Sequence, residues 1–216
     1  MARPKAGYQL ADGTKVPGTT TITGRFKESG GLLQWAFQQG RSGVATLYEK
    51  RDEAADAGTL AHRVVEMHAA GKGDDEIQTE LKDGPIAEQA FNAYCAYLSW
   101  ERMTRLRIVE QEISLVSEEY RFGGTLDAVG VLDNQLCLLD WKSGGVYSDA
   151  LIQVAAYNHL WTINRPDQLL TGGLHICRFA KANGDFTHRF FPKLDEAWEL
   201  FKLYRQAYEI DKELAK

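Results

Sequence analysis

Gly124-Thr-Leu-Asp-Ala-Val-Gly-Val-Leu132 reads as a β-strand, Asp133-Asn134-Gln135 as a turn, and Leu136-Cys-Leu-Leu-Asp-Trp-Lys142 as the strand that returns beside it. Side chains alternate along a strand, so Asp140 and Lys142 share a face, and a hairpin brings Asp127 within reach of both. The run Leu136 to Leu139 is apolar without alternation, which predicts a strand covered on both faces. Charges that emerge from such a strand are costly unless they are paired or bind an ion. An acidic residue two positions before a lysine is weak evidence by itself. Glu80-Leu81-Lys82 has the same pattern in a charged stretch with no buried strand around it.

Outward from this hairpin, the pattern is helical on both sides. Gly7 to Thr23 is rich in Gly, Thr and Pro and reads as extended chain and turns, with a short helix around Gly31 to Gly40. Asp52 to Gly71 reads as a helix with Leu60, Val64, Val65 and Met67 on its buried side. Two more helical stretches follow, the second marked by Phe91, Tyr94, Cys95 and Leu98. Ile108 to Val116 alternates as a strand. After the hairpin, a helix from Asp149 to about Trp161, with Asp149 as its cap, connects to strands at Gly173 to Phe179 and Phe186 to Phe191. Leu194, Ala197, Trp198, Phe201, Tyr204 and Tyr208 form the stripe of a closing helix. The expected fold is α/β, a central mixed β-sheet flanked by helices with an N-terminal helical region, and the Asp149 helix is the crossover that makes the Asp140 and Gly173 strands parallel.

The chain has 216 residues and a net charge of −5, which fits one domain. We divide it into a lead-in (1–57), a core (58–192) and a C-terminal helix (193–216). No apolar run approaches the roughly 20 residues of a membrane helix, so no membrane partner is expected. The first residues lack the apolar core of a secretory signal, and the expected location is cytoplasmic. Cys95, Cys137 and Cys177 are isolated, which argues against an iron-sulfur cluster or zinc site. Residues 1–51 hold eight basic groups against three acidic, whereas 52–88 hold three against ten. Arg25, Lys27, Arg41 and Arg63 are the basic residues expected to face a phosphate backbone.

Two pairs at helical spacing flank the hairpin. His62 and Glu66 stand four apart in Gly58-Thr-Leu-Ala-His-Arg-Val-Val-Glu66 and share a helix face, where both are able to serve one ion, Glu66 directly or through water. Gln153 and Tyr157 share a face of the next helix and are able to hydrogen-bond a phosphate or steady a lysine. Taken singly, His62 reads more readily as a surface or core histidine than as a ligand, and Tyr157 as a core residue.

In this order, Gly58-Thr-Leu-Ala-His62, Gly124-Thr-Leu-Asp127, Asp140-Trp-Lys142 and Gln153-Val-Ala-Ala-Tyr157 resemble the PD-(D/E)XK nuclease superfamily, in its RecB-like and phage-type exonuclease branch. The resemblance spans about residues 58 to 160. Leu126 stands where the family name has a proline, and the cysteine cluster of Cas4-type members is absent. The N-terminal segment with Trp35 and Arg41 also resembles the lead-in of phage-type members.

The resemblance implies a restriction-endonuclease-like core and a metal-dependent DNA nuclease, most often an exonuclease of recombination, repair or phage DNA metabolism. It implies one or two Mg2+ or Mn2+ ions held by Asp127, Asp140, the backbone carbonyl of Trp141 and His62, with Glu66 beyond them. Lys142 would position the attacking water, with Gln153 and Tyr157 in support, and Glu112 on the preceding strand is a further candidate. The expected partner is linear duplex or single-stranded DNA, with a recombination or single-strand-binding protein as companion, in a bacterial cell or phage-infected host. Two alternatives stay open: a structure-specific endonuclease of resolvase or restriction type, and a non-catalytic nucleic-acid-binding module. No motif encodes digestion polarity or oligomeric state.

Overall fold

The computed structural model describes residues 4, 6–27, 30–41, 47–81, 84–142, 145–179 and 186–215, of which 30–33, 35, 39 and 47–56 as backbone alone. The side chains of Trp35 in the lead-in and of Arg3, Lys5, Lys50 and Arg51 therefore lie outside what the structure describes. The elements run β1 (Tyr8–Gln9), β2 (Lys15–Val16), α1 (Thr19–Arg25), α2 (Gly30–Arg41), α3 (Leu47–Ala69), α4 (Asp74–Glu80) and α5 (Pro85–Thr104). They continue with β3 (Arg107–Ser117), β4 (Phe122–Leu132), β5 (Gln135–Lys142), α6 (Ser148–Asn164), β6 (Leu174–Phe179), β7 (Phe186–Phe191) and α7 (Asp195–Leu214).

The hairpin forms as expected, with Leu132 opposite Gln135 and Ala128 opposite Leu139. Its turn is only Asp133-Asn134, both at positive φ (49° and 62°), and Gln135 already belongs to β5. Such a two-residue loop needs left-handed backbone at both positions, which Asp and Asn tolerate because their short side chains bond locally. The sheet has the order β3-β4-β5-β6-β7, and only β5 and β6 are parallel. α6 is the crossover between them.

Helices cover both faces. Leu126, Leu138 and Ile176 pack with α6 and with Phe201 of α7, while Cys137, Leu139, Trp141 and Phe179 pack against Val64 and Val65 of α3 and Tyr97 of α5. This two-sided burial explains why Leu136 to Leu139 shows no alternation of polarity. No helix among the described residues is long and apolar enough to cross a membrane.

Two local expectations are corrected. Within 7–23, read as extended chain and turns, residues Thr19–Arg25 form helix α1. Threonine is a poor helix former, but tertiary contacts outweigh propensity: Ile22 is fully buried, and Thr19 Oγ1 donates to Gly123 O at 3.0 Å. Asp149 does not cap α6. Tyr147 occupies the cap without a side-chain bond, and the Asp149 carboxylate, in the first turn, is taken by Lys27 at 2.7 Å. A carboxylate there still favours the helix through its aligned backbone dipoles.

The short β1–β2 hairpin lies over the start of β4. Gly123 N–H donates to Pro17 O at 3.0 Å, and Tyr8 OH is 2.9 Å from Thr125 Oγ1. A Cβ at Gly123 would fall 2.3 Å from Tyr8 Cγ, so only glycine admits the ring.

Candidate metal centre

Three elements aim acids at one place. The β3–β4 partners run from Gln111 opposite Ala128 directly to Ile113 opposite Leu126, and the residues skipped are Glu112 and Asp127. Glu112 takes φ 50° in mid-strand, a left-handed conformation that costs a non-glycine residue about 1–2 kcal/mol. On the other side, the β4–β5 ladder ends at Ala128 opposite Leu139, and beyond it Trp141 N–H donates to Asp127 Oδ2 at 2.8 Å. A side-chain carboxylate thus replaces a backbone carbonyl as acceptor, which fixes Asp127 between the strands.

His62 comes from α3. Ligand atoms of His62, Glu112 and Asp127 all lie within 4.8 Å of one another. Two ligands on opposite sides of an ion at about 2.4 Å are about 4.8 Å apart, so the three are able to hold one metal ion. Asp140 stands beside this group, with its Oδ2 2.5 Å from Lys142 Nζ. Asp127 and Asp140 are both fully buried, and Asp127 Oδ1 and Asp140 Oδ1 have no hydrogen-bond partner among the described residues. His62 Nε2 approaches Glu66 Oε1 at 3.1 Å without hydrogen-bond geometry.

The protonation equilibria reflect this crowding. Burial raises Asp127 and Asp140 to about 6, although Lys142 pulls both down. Glu66 rises to about 7, first through burial and then through its hydrogen bond and charge contact with Glu112. His62 falls to about 4, because burial outweighs the carboxylates around it, so its imidazole is neutral with a lone pair to donate. Burial also disfavours the charge on Lys142, but Asp140 and Asp127 outweigh it and its pKa is raised. Among the described residues, four carboxyl groups therefore surround the Lys142 ammonium and a neutral histidine. Hard oxygen donors with one imidazole and unmatched buried carboxylate atoms suit a divalent cation.

Gln153 and Tyr157 of α6 meet as their spacing predicts: Gln153 Nε2 donates to Tyr157 OH at 2.8 Å. Burial, then the charges of Asp127 and Asp140, hold the Tyr157 hydroxyl protonated. The basic residues expected to face phosphate lie at the surface, each with a neighbour. Arg25 pairs with Asp211 at 2.5 Å, Lys27 with Asp149 at 2.7 Å and Arg63 with Glu80 at 3.2 Å. Arg41 is exposed, 6.0 Å above the Phe37 ring. Sequence spacing alone put Glu112 at the margin. Its inclusion depends on the left-handed bend, for which glutamate carries no sequence signal.

No family model matches the chain, and no curated protein matches it. Among solved structures, it is similar to a provisionally named exonuclease from Eubacterium rectale, with 12% identity and a TM-score of 0.47. That match covers 68% of this chain and 64% of the other, so the chain spans less than two thirds of that protein. A second, SSO0001, is similar over 71% of this chain and 72% of its own, with 12% identity and a TM-score of 0.34. At that level neither bears on the chemistry of the site.

Proposed function

We propose that the chain is a divalent-metal-dependent deoxyribonuclease that hydrolyses phosphodiester bonds, an exonuclease of the PD-(D/E)XK type. The observation that carries this reading is the convergence of His62, Glu112 and Asp127 beside the Asp140–Lys142 pair in a buried, over-acidic site. His62, Glu112, Asp127 and Asp140 would hold Mg2+ or Mn2+, with an imidazole among the donors favouring Mn2+. Trp141 would add its carbonyl, which leaves the strand on the same edge as the N–H given to Asp127. When bound, such an ion polarises the phosphate and lowers the pKa of a coordinated water.

The chain's own groups complete the chemistry. Lys142 remains charged at neutral pH, so it orients the attacking water and stabilises negative charge on the phosphate rather than acting as a free base. Asp140 fixes the ammonium through their contact. The protonated Tyr157 hydroxyl, held by Gln153, is a donor for a phosphate oxygen. Glu66, next to His62 and bonded to Glu112, keeps both ligand side chains in place.

The test is a time course on end-labelled linear DNA and a covalently closed circle, with Mn2+, Mg2+ or EDTA. We expect metal-dependent loss of the linear substrate, an intact circle, and at least a hundredfold lower rate for Asp140→Ala and Lys142→Ala, on the scale of lost metal and charge stabilisation. Cleavage unchanged in both variants defeats the reading. Cleavage of the circle turns it toward the endonuclease alternative.

A further inference from the structure

A cleft of about 150 Å³, lined by none of the clustered acids, lies along the start of β4. Its walls are Tyr8 of the N-terminal hairpin and Tyr157 of α6, with Gly18 and Gly124 between them and the threonine run 19–21 along one side. Thr20 and Thr21 are exposed, whereas Tyr8, Thr19, Gly124 and Tyr157 are buried, so the cleft runs inward from the surface. The inner end is closely packed and admits only glycine: a Cβ on Gly124 would fall 2.7 Å from Tyr157 Cε1 and 2.8 Å from Thr19 Oγ1.

The cleft reaches the strand that carries Asp127. Thr125 lines the cleft and Asp127 lies two residues further along β4, roughly 7 Å away at the rise of a strand. Thr125 is itself fixed, with Tyr8 OH at 2.9 Å and Ser114 Oγ at 2.8 Å from its hydroxyl. No charged side chain lines the cleft among the described residues, which disfavours a phosphate, since phosphates are met chiefly by arginine and lysine. Its volume is that of about five waters, enough for one planar ring system and too little for a base pair. Tyrosine rings in the walls and the exposed hydroxyls of Thr20 and Thr21 at the rim, which donate and accept alike, suit an unstacked base of any identity.

We infer that this cleft is a base subsite, which takes the unstacked base of the nucleotide next to the phosphate handled by the acid cluster. The inference rests on the nuclease reading for its neighbouring phosphate, and it adds that the substrate strand must be single or frayed at the scissile end. It also gives the N-terminal hairpin and α1 a part in substrate recognition, because Tyr8 and Thr19 to Thr21 come from them.

Thr21→Phe fills the cleft from its exposed rim, and Thr20→Phe does so from a neighbouring position. Steady-state kinetics would compare single-stranded DNA with the same strand carrying abasic residues at the two nucleotides flanking the scissile bond. The native protein should show a KM about tenfold higher on the abasic strand with similar kcat, the scale of one base–aromatic stack. Both variants should raise KM on the normal strand and show no further rise on the abasic one. In parallel, dAMP and deoxyribose 5-phosphate are titrated into the native protein in EDTA, with saturation transfer to the base protons as the signal. Transfer to dAMP that either phenylalanine variant removes is expected. Equal KM on both strands, or no transfer in the native protein, overturns the base subsite. Transfer without any hydrolysis overturns the nuclease reading alone.

Discussion

Asp127 is the residue on which the site turns, because its carboxylate both closes the β4–β5 edge and faces His62 and Glu112. Its pKa is raised by burial, so the folded protein binds its proton more tightly than the unfolded chain does. The stability contributed is thus present below about pH 4 and is lost as pH rises through about 6. Asp127→Asn keeps an acceptor for Trp141 N–H and removes the charge. Urea unfolding in EDTA at pH 5 and pH 7.5 should show a smaller loss at the higher pH in the variant than in the native protein, and an equal loss would contradict this account. Lys142→Met has the opposite consequence. It strands Asp140 and Asp127 without their ammonium, and breaking a buried pair from one side costs about 3–5 kcal/mol, read as a fall in Tm of the metal-free protein at neutral pH.

At the scale of elements, the junction of the β1–β2 hairpin with β4 is the sharpest constraint. Gly123→Ala would drive a methyl into the Tyr8 ring and cost about 1–3 kcal/mol of overpacking. The expected signature is a lower Tm together with faster proteolysis near residue 8, whereas Gly24→Ala, with nothing within 4 Å and no left-handed backbone, should not loosen the hairpin. α7 is tied to the β3–β4 turn by Arg205, which is 8% exposed and donates to the carbonyls of Tyr120 and Arg121. Arg205→Met leaves those carbonyls unpaired and should lower Tm by several degrees, since each lost charged hydrogen bond is worth about 1.5–3 kcal/mol.

For the whole molecule, two sets of groups oppose each other in pH. His62, His159, His175 and His188 are lowered, each chiefly by burial, so their contribution is present above the unfolded pKa near 6.5 and is lost as pH falls through the folded values. Asp127, Asp140 and Glu66 are raised and lose theirs as pH rises. Without metal, the two sets act against each other over the same range, between about pH 4 and 7. Mn2+ competes with protons for the carboxylates, so it should stabilise more at pH 7.5 than at pH 5. Thermal melts across pH with Mn2+ and with EDTA check this, and an equal shift at both pH values would speak against a metal at the acids.

Alternation and spacing are properties of a few consecutive residues, so the amino-acid order alone was enough for the β4–β5 hairpin, the crossover helix and the proximity of Asp140 to Lys142. The His62–Glu66 and Gln153–Tyr157 pairs were legible for the same reason, since helical periodicity sets which side chains share a face. Long-range packing decided the rest. Thr19–Arg25 is helical because Ile22 and Thr19 are buried against partners about a hundred residues distant, which no local propensity encodes. Glu112, only a further candidate along the chain, reaches the ligand atoms of His62 and Asp127 at a left-handed backbone position in mid-strand. Arg25, Lys27 and Arg63 look free along the chain, yet the fold hands each a carboxylate, because Coulomb attraction acts through space and takes no account of sequence separation.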